Sequence, residues 1–489
     1  MTVRGTTGCR TYSKKADIKG PHNGDWRVSA FFCFLALRDT MDREQIITRI
    51  RRAGVVGQGG AGFPTHVKLD ARVDTVIANG CECEPLLATD RRIMLDAGEG
   101  VLRGLHLAMK ATNAERGILA IKAKHKDLAR WFAERVNGTA VSLRLLENFY
   151  PAGDEQTLVK EVTGRYIAPL SLPKEAGCVV CNVGTLQAVA EAVDGIPVTR
   201  KVVTVTGEVA RPSVFTVPVG CSLAECIAFC GGPRRADSVV VLGGPMMGRV
   251  LETEDAVRNE TVSKTLGGII LLPRGHHLHQ TAGRSVEVMR RRAATACIQC
   301  RFCSDLCPRY LIGQPFETHR VMRAFASGTE LTSEAGKLAL LCCGCGVCEH
   351  VACPMELSPC TINTYVKAEL ARAGVKYGGE RAEKQENTLW REARRVPLPR
   401  LAARTGITDY MGIEPEACAG PEPVEVAIPL KQHIGAPAVP VCAEGDRVAA
   451  SQVIAEIPEN ALGAAVHASI DGVVVSVDAS IRIRRAGHV

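Results

Sequence analysis

Aromatic residues are scarce in this chain, at 4% of 489 positions with only 3 Trp and 7 Tyr. No basic stretch is interleaved with aromatics, as a nucleic-acid-binding surface would require. Long apolar runs are missing too. The longest candidate, SAFFCFLAL from Ser29, is far short of the roughly 20 residues that a membrane-spanning helix needs. Charge of one sign is not concentrated: the net +8 is spread along the chain, with local basic runs at residues 290–292 and 482–485. These runs read either as solvated surface or as a docking patch for an acidic partner. A hydrophobic content of 46% with so few aromatics suits Ala/Val/Leu/Gly-rich α/β and small β domains, and the length suggests about three of them.

Cysteine, by contrast, is abundant. Its 21 copies are too many for a disulfide scaffold of this length, and eight stand in patterns that need reduced thiolates, which points to a cytosolic or enclosed cytosolic setting. CIQCRFCSDLCP places Cys297, Cys300, Cys303 and Cys307 in the C-x-x-C-x-x-C-x-x-x-C-P spacing of bacterial ferredoxins. CCGCGVCEHVACP repeats it with Cys342, Cys345, Cys348 and Cys353, with one extra residue before the last cysteine. In a two-cluster arrangement the fourth cysteine of each run crosses to the other cluster. Cys297, Cys300, Cys303 and Cys353 then hold one [4Fe-4S] cluster, and Cys342, Cys345, Cys348 and Cys307 the other. Zinc is the alternative, but it has no use for a third evenly spaced cysteine followed by Cys-Pro. Cys343 and Cys360 are spare thiols, so the insertion leaves Cys353 against Cys360 and Cys342 against Cys343 open for the second site. Paired clusters make electron transfer the first functional expectation.

Residues 1–40 lack periodicity and read as an extension, with an upstream start, a targeting segment and a disordered tail as alternatives. From Met41 the pattern predicts a helix: Asp42 caps it, Gln45 lies three residues on, and Ile46, Ile47 and Ile50 share a face up to Gly54. The loop GVVGQGGAGFPTHVKL follows, in which Gly57, Gly59 and Gly62 spell G-x-G-x-x-G. It follows a helix rather than a strand, so it is no ordinary dinucleotide fingerprint. The glycines still let backbone N–H groups approach a phosphate or planar ring, and a plain tight turn is the alternative.

GQGGAGFPTHVK, then NGCECEP, then YPAGDEQTL and CNVGTL together resemble the flavin- and NADH-binding subunit of respiratory complex I, and more closely the Rnf C-subunit group. The resemblance implies that Gly57, Gly59, Gly60, Gly62 and Lys68 lie against FMN, with Asn79 on its ring or ribityl chain and Asn182 and Thr185 near its phosphate. It implies also that Phe63, Glu82, Glu84, Tyr150 and Glu155 surround NADH. Lys68 and Glu84 are the candidate catalytic residues. Lys68 can offset anionic charge, Phe63 can stack, and the carboxylates can accept bonds from ribose or carboxamide. Two departures from the complex I pattern stand out: Cys81 and Cys83 replace Asp and Gly, and Asp154 replaces the first of two glutamates.

KVVTVTGEVARPSVFTVPVG and the following SLAECIAFCGG read as two strands and a short helix capped by Ser222 and Glu225, which suits a β-grasp module. Met246 and Met247 in GGPMMG are expected in the core. Cys221, Cys226 and Cys230 are expected as buried structural thiols, and His276, His277 and His279 as a surface loop. The C-terminal segment from HIGAPAVPV to SIDGVVVSV resembles the barrel-sandwich hybrid of carrier domains, but His467, Ala468 and Ser469 stand where a carrier has its lysine, so a structural or docking role is expected.

The expected architecture is multidomain α/β and α+β. Residues 1–40 form the extension, 41–195 a Rossmann-like FMN/NADH domain, 196–290 a soluble ligand-binding β-grasp domain, and 291–365 an α-helical ferredoxin-like dicluster module. Residues 366–415 form a helical linker and 416–489 the hybrid domain. This order resembles the cobalamin reductases of propanediol-utilisation microcompartments. The resemblance implies an electron relay from NADH through FMN and two clusters to a corrinoid or corrinoid-dependent enzyme, in the cytoplasm or inside a microcompartment with shell or lumen proteins as partners. The alternative is an Rnf C-like subunit without NADH oxidation of its own. No D-x-H-x-x-G stretch for a histidine-ligated corrinoid is present, so contact with the acceptor is expected to be transient.

Overall fold

The computed structural model describes residues 41–383 and 391–486, so the expected extension lies outside the described residues. The first helix, Arg43–Arg52, has the predicted capping box: Asp42 accepts from Gln45 N and Gln45 reaches back to Asp42 N. Ile46 and Ile50 are fully buried.

The flavin-type domain is built on a four-stranded parallel sheet in the order Val141–Leu146, Arg116–Lys122, Thr75–Gly80, Cys178–Asn182. The strand TVIANG is apolar on both faces because helices cover both sides, as a parallel sheet requires. Helices Thr89–Thr112 and Val183–Val193 pack so closely that a methyl on Gly104 would stand 1.9 Å from the Leu186 carbonyl oxygen. Strand order reverses beside Thr75–Gly80, which makes the crevice at the carboxyl ends of that strand and Cys178–Asn182 a topological switch point. Asn79 and Asn182 are register partners at those ends.

The β-grasp domain holds a mixed six-stranded sheet. Its strand Arg200–Gly207 pairs antiparallel with Ser213–Pro218 and parallel with Gly268–Pro273. Helix Leu223–Phe229 carries the predicted Ser222 and Glu225 box. Cys221, Cys226 and Cys230 are buried in this domain's core, as expected. Two expectations here change. Met246 is core but Met247 is 60% exposed, because alternate residues of the tight turn point opposite ways. The three histidines are not in a loop: His276 Nδ1 accepts from Leu278 N and so caps a short helix, His277–Ala282.

The cysteine module is helical, from Val286–Ala296 to Pro359–Arg372. The C-terminal segment forms two facing sheets, one of four strands and one of three, around Val426, Ile428, Ile454, Val474 and Ile481. His467, Ala468 and Ser469 are buried there, and Ser469 donates to the Val219 carbonyl at 2.6 Å, so this hairpin presents no swinging arm.

The stretch expected as a helical linker is woven into the fold. Val396–Pro397 pairs antiparallel with Phe149–Tyr150, and helix Leu398–Thr405 puts Leu398, Leu401 and Ala402 into one core with Tyr150, Met246, Cys345 and Val347. With one apolar face buried in this way, the helix acts as a strap rather than a spacer. Glu416–Ala417 adds an edge strand to the β-grasp sheet, beside Ser213–Pro218.

Candidate functional site: a glycine loop beside paired cysteine sets

At the switch point the glycine loop lies over the asparagine that caps helix Val183–Val193. A methyl on Gly59 would meet Asn182 Cβ at 3.4 Å, whereas one on Gly60, with φ +118°, would meet nothing within 4 Å. Gly57 N donates to Phe63 O at 2.9 Å and closes the loop, and Gln58 N donates to Thr185 Oγ1 at 2.9 Å. Gly62, at φ +66°, packs against the backbone of residues 432 and 433. Asn182 accepts from Gly184 N and donates to Asp90 at 2.8 Å. A helix N-terminus, flexible glycine N–H groups and a lysine form a donor set that fits a phosphate and flavin. Lys68 Nζ is 2.6 Å from Glu155, which, against the cost of burial, raises its affinity for its proton.

The acids predicted here lie deeper. Burial pushes Glu82 up to about 8, with Asp90 adding to the rise, and pushes Asp90 up to about 6. Lys201, from the β-grasp sheet, faces both and donates to Gln58 at 2.8 Å, with burial lowering it to about 8. Glu84 accepts from Met246 N at 2.9 Å, and a methyl on Gly244 would stand 2.0 Å from its carboxylate, which explains the glycine in GGPMMG. Its other oxygen is buried without a protein partner and can receive a ligand's donor. Asn79 donates to Gly153 O at 2.9 Å and accepts from Cys81 N. Cys83 accepts from Gly153 N, so the two cysteines of NGCECEP help shape this turn. Tyr150 stands apart from the open side: it is 2% exposed and donates to the Cys345 carbonyl at 2.8 Å.

That hydrogen bond leads to the cysteines. Cys297, Cys300, Cys303 and Cys353 line one cavity that opens to solvent. This is the crossed set expected from the spacing. The inserted residue is absorbed by a π-helical turn, Val347–Ala352, which runs from beside Cys348 to Cys353. Wider by one residue per hydrogen bond than an α-turn, it carries Cys353 to the first cavity despite the longer spacing. Cys307, Cys342, Cys345 and Cys348 are all buried and face one another. Burial and neighbouring sulfurs push Cys303 and Cys307 up to about 12, so thiolates here need a bound cation. Four sulfurs around the first cavity fit a cubane. Among the described residues, no three His, Cys, Asp or Glu groups converge on a single-ion site. The spare thiols both stand at the second set, Cys360 against Cys342 and Cys348, and Cys343 against Cys345.

Residues from three elements hold the carbonyls of these cysteines: Tyr150 on Cys345, Lys367 on Cys342 at 2.8 Å, and Arg404 of the strap on Cys353 at 2.8 Å. Asp154 caps helix Glu155–Thr163 and forms a two-pronged pair with Arg309 at 2.5 and 2.9 Å, two residues beyond Cys307. Burial disfavours the Asp154 anion, but Arg309 outweighs it and the carboxyl lies below its ordinary range. Sequence reasoning missed Arg309, Lys367, Arg404 and Lys201. Only Arg309 had a signal, its place directly after Cys-Pro.

Family comparisons agree with this layout. A Nuo51 FMN-binding domain model matches residues 50–191, an SLBB domain 202–250, a 4Fe-4S dicluster domain 296–358 and an RnfC barrel sandwich hybrid domain 415–487. Fold and site thus define a flavoprotein-type, iron–sulfur-type oxidoreductase assembled from complex I and Rnf modules. The chain is 41% identical over 437 residues to the cobalamin reductase PduS of Citrobacter freundii, covering 89% of this chain and 95% of the relative. It is also 41% identical to that of Salmonella typhimurium, covering 90% and 96%. The chain belongs to the PduS cobalamin reductase family. The C component of the Na+-translocating ferredoxin:NAD+ oxidoreductase complex of Acetobacterium woodii is 34% identical over 56% of this chain and 60% of its own length.

Proposed function

We propose that this chain carries electrons from NADH, through FMN and two [4Fe-4S] clusters, to a corrinoid. The observation that carries the reading is the crossed cysteine pattern joined to the flavin-type domain: Cys353 lines the first cavity, while Tyr150 of the flavin-type domain bonds the Cys345 loop of the second set. FMN would supply hydride acceptance and one-electron release, which a nicotinamide and a cubane cannot exchange directly.

The protein's part is to bind and orient. The glycine loop, Asn182 and Thr185 would receive the phosphate, Lys68 would offset anionic charge, and Asn79 would face the ring. Phe63, Glu82, Glu84 and Glu155 would border the nicotinamide nucleotide, with Glu84 offering its unpartnered oxygen. Tyr150 and the Asp154 and Arg309 pair would hold the second cysteine set against the flavin-type domain. No helix among the described residues is long and apolar enough to cross a membrane. Through the family we infer a cytoplasmic setting inside a microcompartment, with lumen or shell proteins as neighbours.

The test is an anaerobic NADH titration of reconstituted protein, followed by flavin absorbance. Bleaching by NADH, together with reduced FMN retention in Lys68→Ala, supports the reading. Cluster absorbance without flavin would refute NADH oxidation by this chain and favour an Rnf C-like subunit fed by another protein.

A further inference from the structure

The two cysteine sets differ in their access to solvent. All four members of the second set are at most 8% exposed, whereas Cys300 of the first is exposed and its cavity opens outward. Among the residues lining that opening, two large apolar side chains are left uncovered, Ile298 at 61% exposure and Met355 at 38%, and Phe302, next along the chain from the lining residue Arg301, is 50% exposed. Two large apolar groups on the rim of a single site, with a third beside it in sequence, form a patch rather than scattered surface residues.

The surround is basic. Between residues 284 and 323 there are eight arginines and three carboxylates, and of the arginines only Arg309 is buried. Glu287 is shared by Arg290 and Arg291, Glu317 by Arg301 and Arg320, and the exposed Glu356 beside Met355 has Arg284 and Arg292 on its carbonyl, which still leaves a positive excess around the patch. An apolar centre within a charged rim is the anatomy of a transient protein interface, and the sign of the rim selects its partner.

We propose that this face docks an acidic acceptor protein, which takes electrons from the cluster held by Cys297, Cys300, Cys303 and Cys353. The proposal deepens the functional reading and rests on it. It sets the order of flow: the buried second set lies toward the flavin-type domain and the first set is the exit. Each NADH oxidised to NAD+ releases one proton and two electrons, and these leave singly, reducing two one-electron acceptors.

The experiment uses the full holoprotein pre-reduced with dithionite, so that its outcome does not depend on NADH oxidation. Stopped-flow transfer is measured to two one-electron probes of opposite charge, acidic cytochrome b5 and basic cytochrome c. For the unmodified protein, transfer to cytochrome b5 should fall about tenfold or more between low and physiological salt, as steered association does. The surface variant Arg290→Glu/Arg291→Glu/Arg320→Glu should slow cytochrome b5 by a similar factor and speed cytochrome c, with iron content unchanged. Salt-independent transfer to cytochrome b5, or a variant that treats both probes as the unmodified protein does, would overturn the proposal. Equal loss toward free aquacobalamin and cytochrome b5 would overturn it also, since a small acceptor has no need of the rim. Failure of NADH to reduce the unmodified protein would count against the functional reading alone.

Discussion

Individual residues divide into those proposed to hold a group and those that pin one domain to another. Cys300 lines the first cavity and Cys343 lies beside the second set as a spare thiol. Cys300→Ala should therefore remove about half of the bound iron, since each cubane has its own four thiolates, while Cys343→Ala leaves iron content unchanged. Iron analysis of the two variants checks this, and equal losses would contradict the assignment. Glu84 gives a pH signature. Burial raises it from 4.5 to about 7, so the folded state holds the proton more tightly than the unfolded chain does. Its contribution to stability is complete below about pH 4.5 and is lost as pH rises through 7. Glu84→Gln keeps an acceptor for Met246 N and removes the charge, so its melting temperature should match the unmodified protein at pH 4.5 and exceed it at pH 8. A constant difference across that range would contradict this assignment.

At the scale of elements, periodic and spaced signals were the legible ones. The Asp42 and Ser222 capping boxes, the alternation of KVVTVTG and the first cysteine run each depend on neighbours in sequence, and the structure has them where the pattern put them. The π-helical turn at Val347–Ala352 was visible only as an insertion, because its geometry follows from where Cys353 must arrive. The strap was illegible for a similar reason. Helix Leu398–Thr405 and the two-residue strand before it gain their place from distant surfaces, Tyr150 and Val347, that no local pattern announces. Asp154 shows the same limit: it read as a departure from a glutamate, and its reason lies in Arg309, 155 positions away. Asp154→Asn strands a buried guanidinium, and breaking such a pair costs roughly 3–5 kcal/mol. Denaturant unfolding should show that loss, with faster proteolysis around the cysteine module. A change below about 1 kcal/mol, the range of an exposed pair, would mean the contact is incidental.

The whole molecule is a set of modules pinned to one another by buried polar contacts. Lys264 of the β-grasp domain is fully buried and donates to Gly54 O of the flavin-type domain and Ala465 O of the hybrid domain, both at 2.8 Å. Burial lowers it to about 7. Tyr150, Glu84 and Met246 join three modules within one short region, so the glycine loop and the cysteine sets are held in a fixed relation. Such fixed placement is what a relay needs, because the bound groups do the chemistry and the chain sets their separation. The most direct measurement is the quantity of iron, acid-labile sulfide and FMN in protein purified without oxygen, followed by NADH titration of its spectrum. A relay of this design should contain about eight iron and eight sulfide per flavin, two cubanes for each FMN, and should bleach on NADH addition. Colourless protein loaded with zinc, or clusters without flavin, would contradict it.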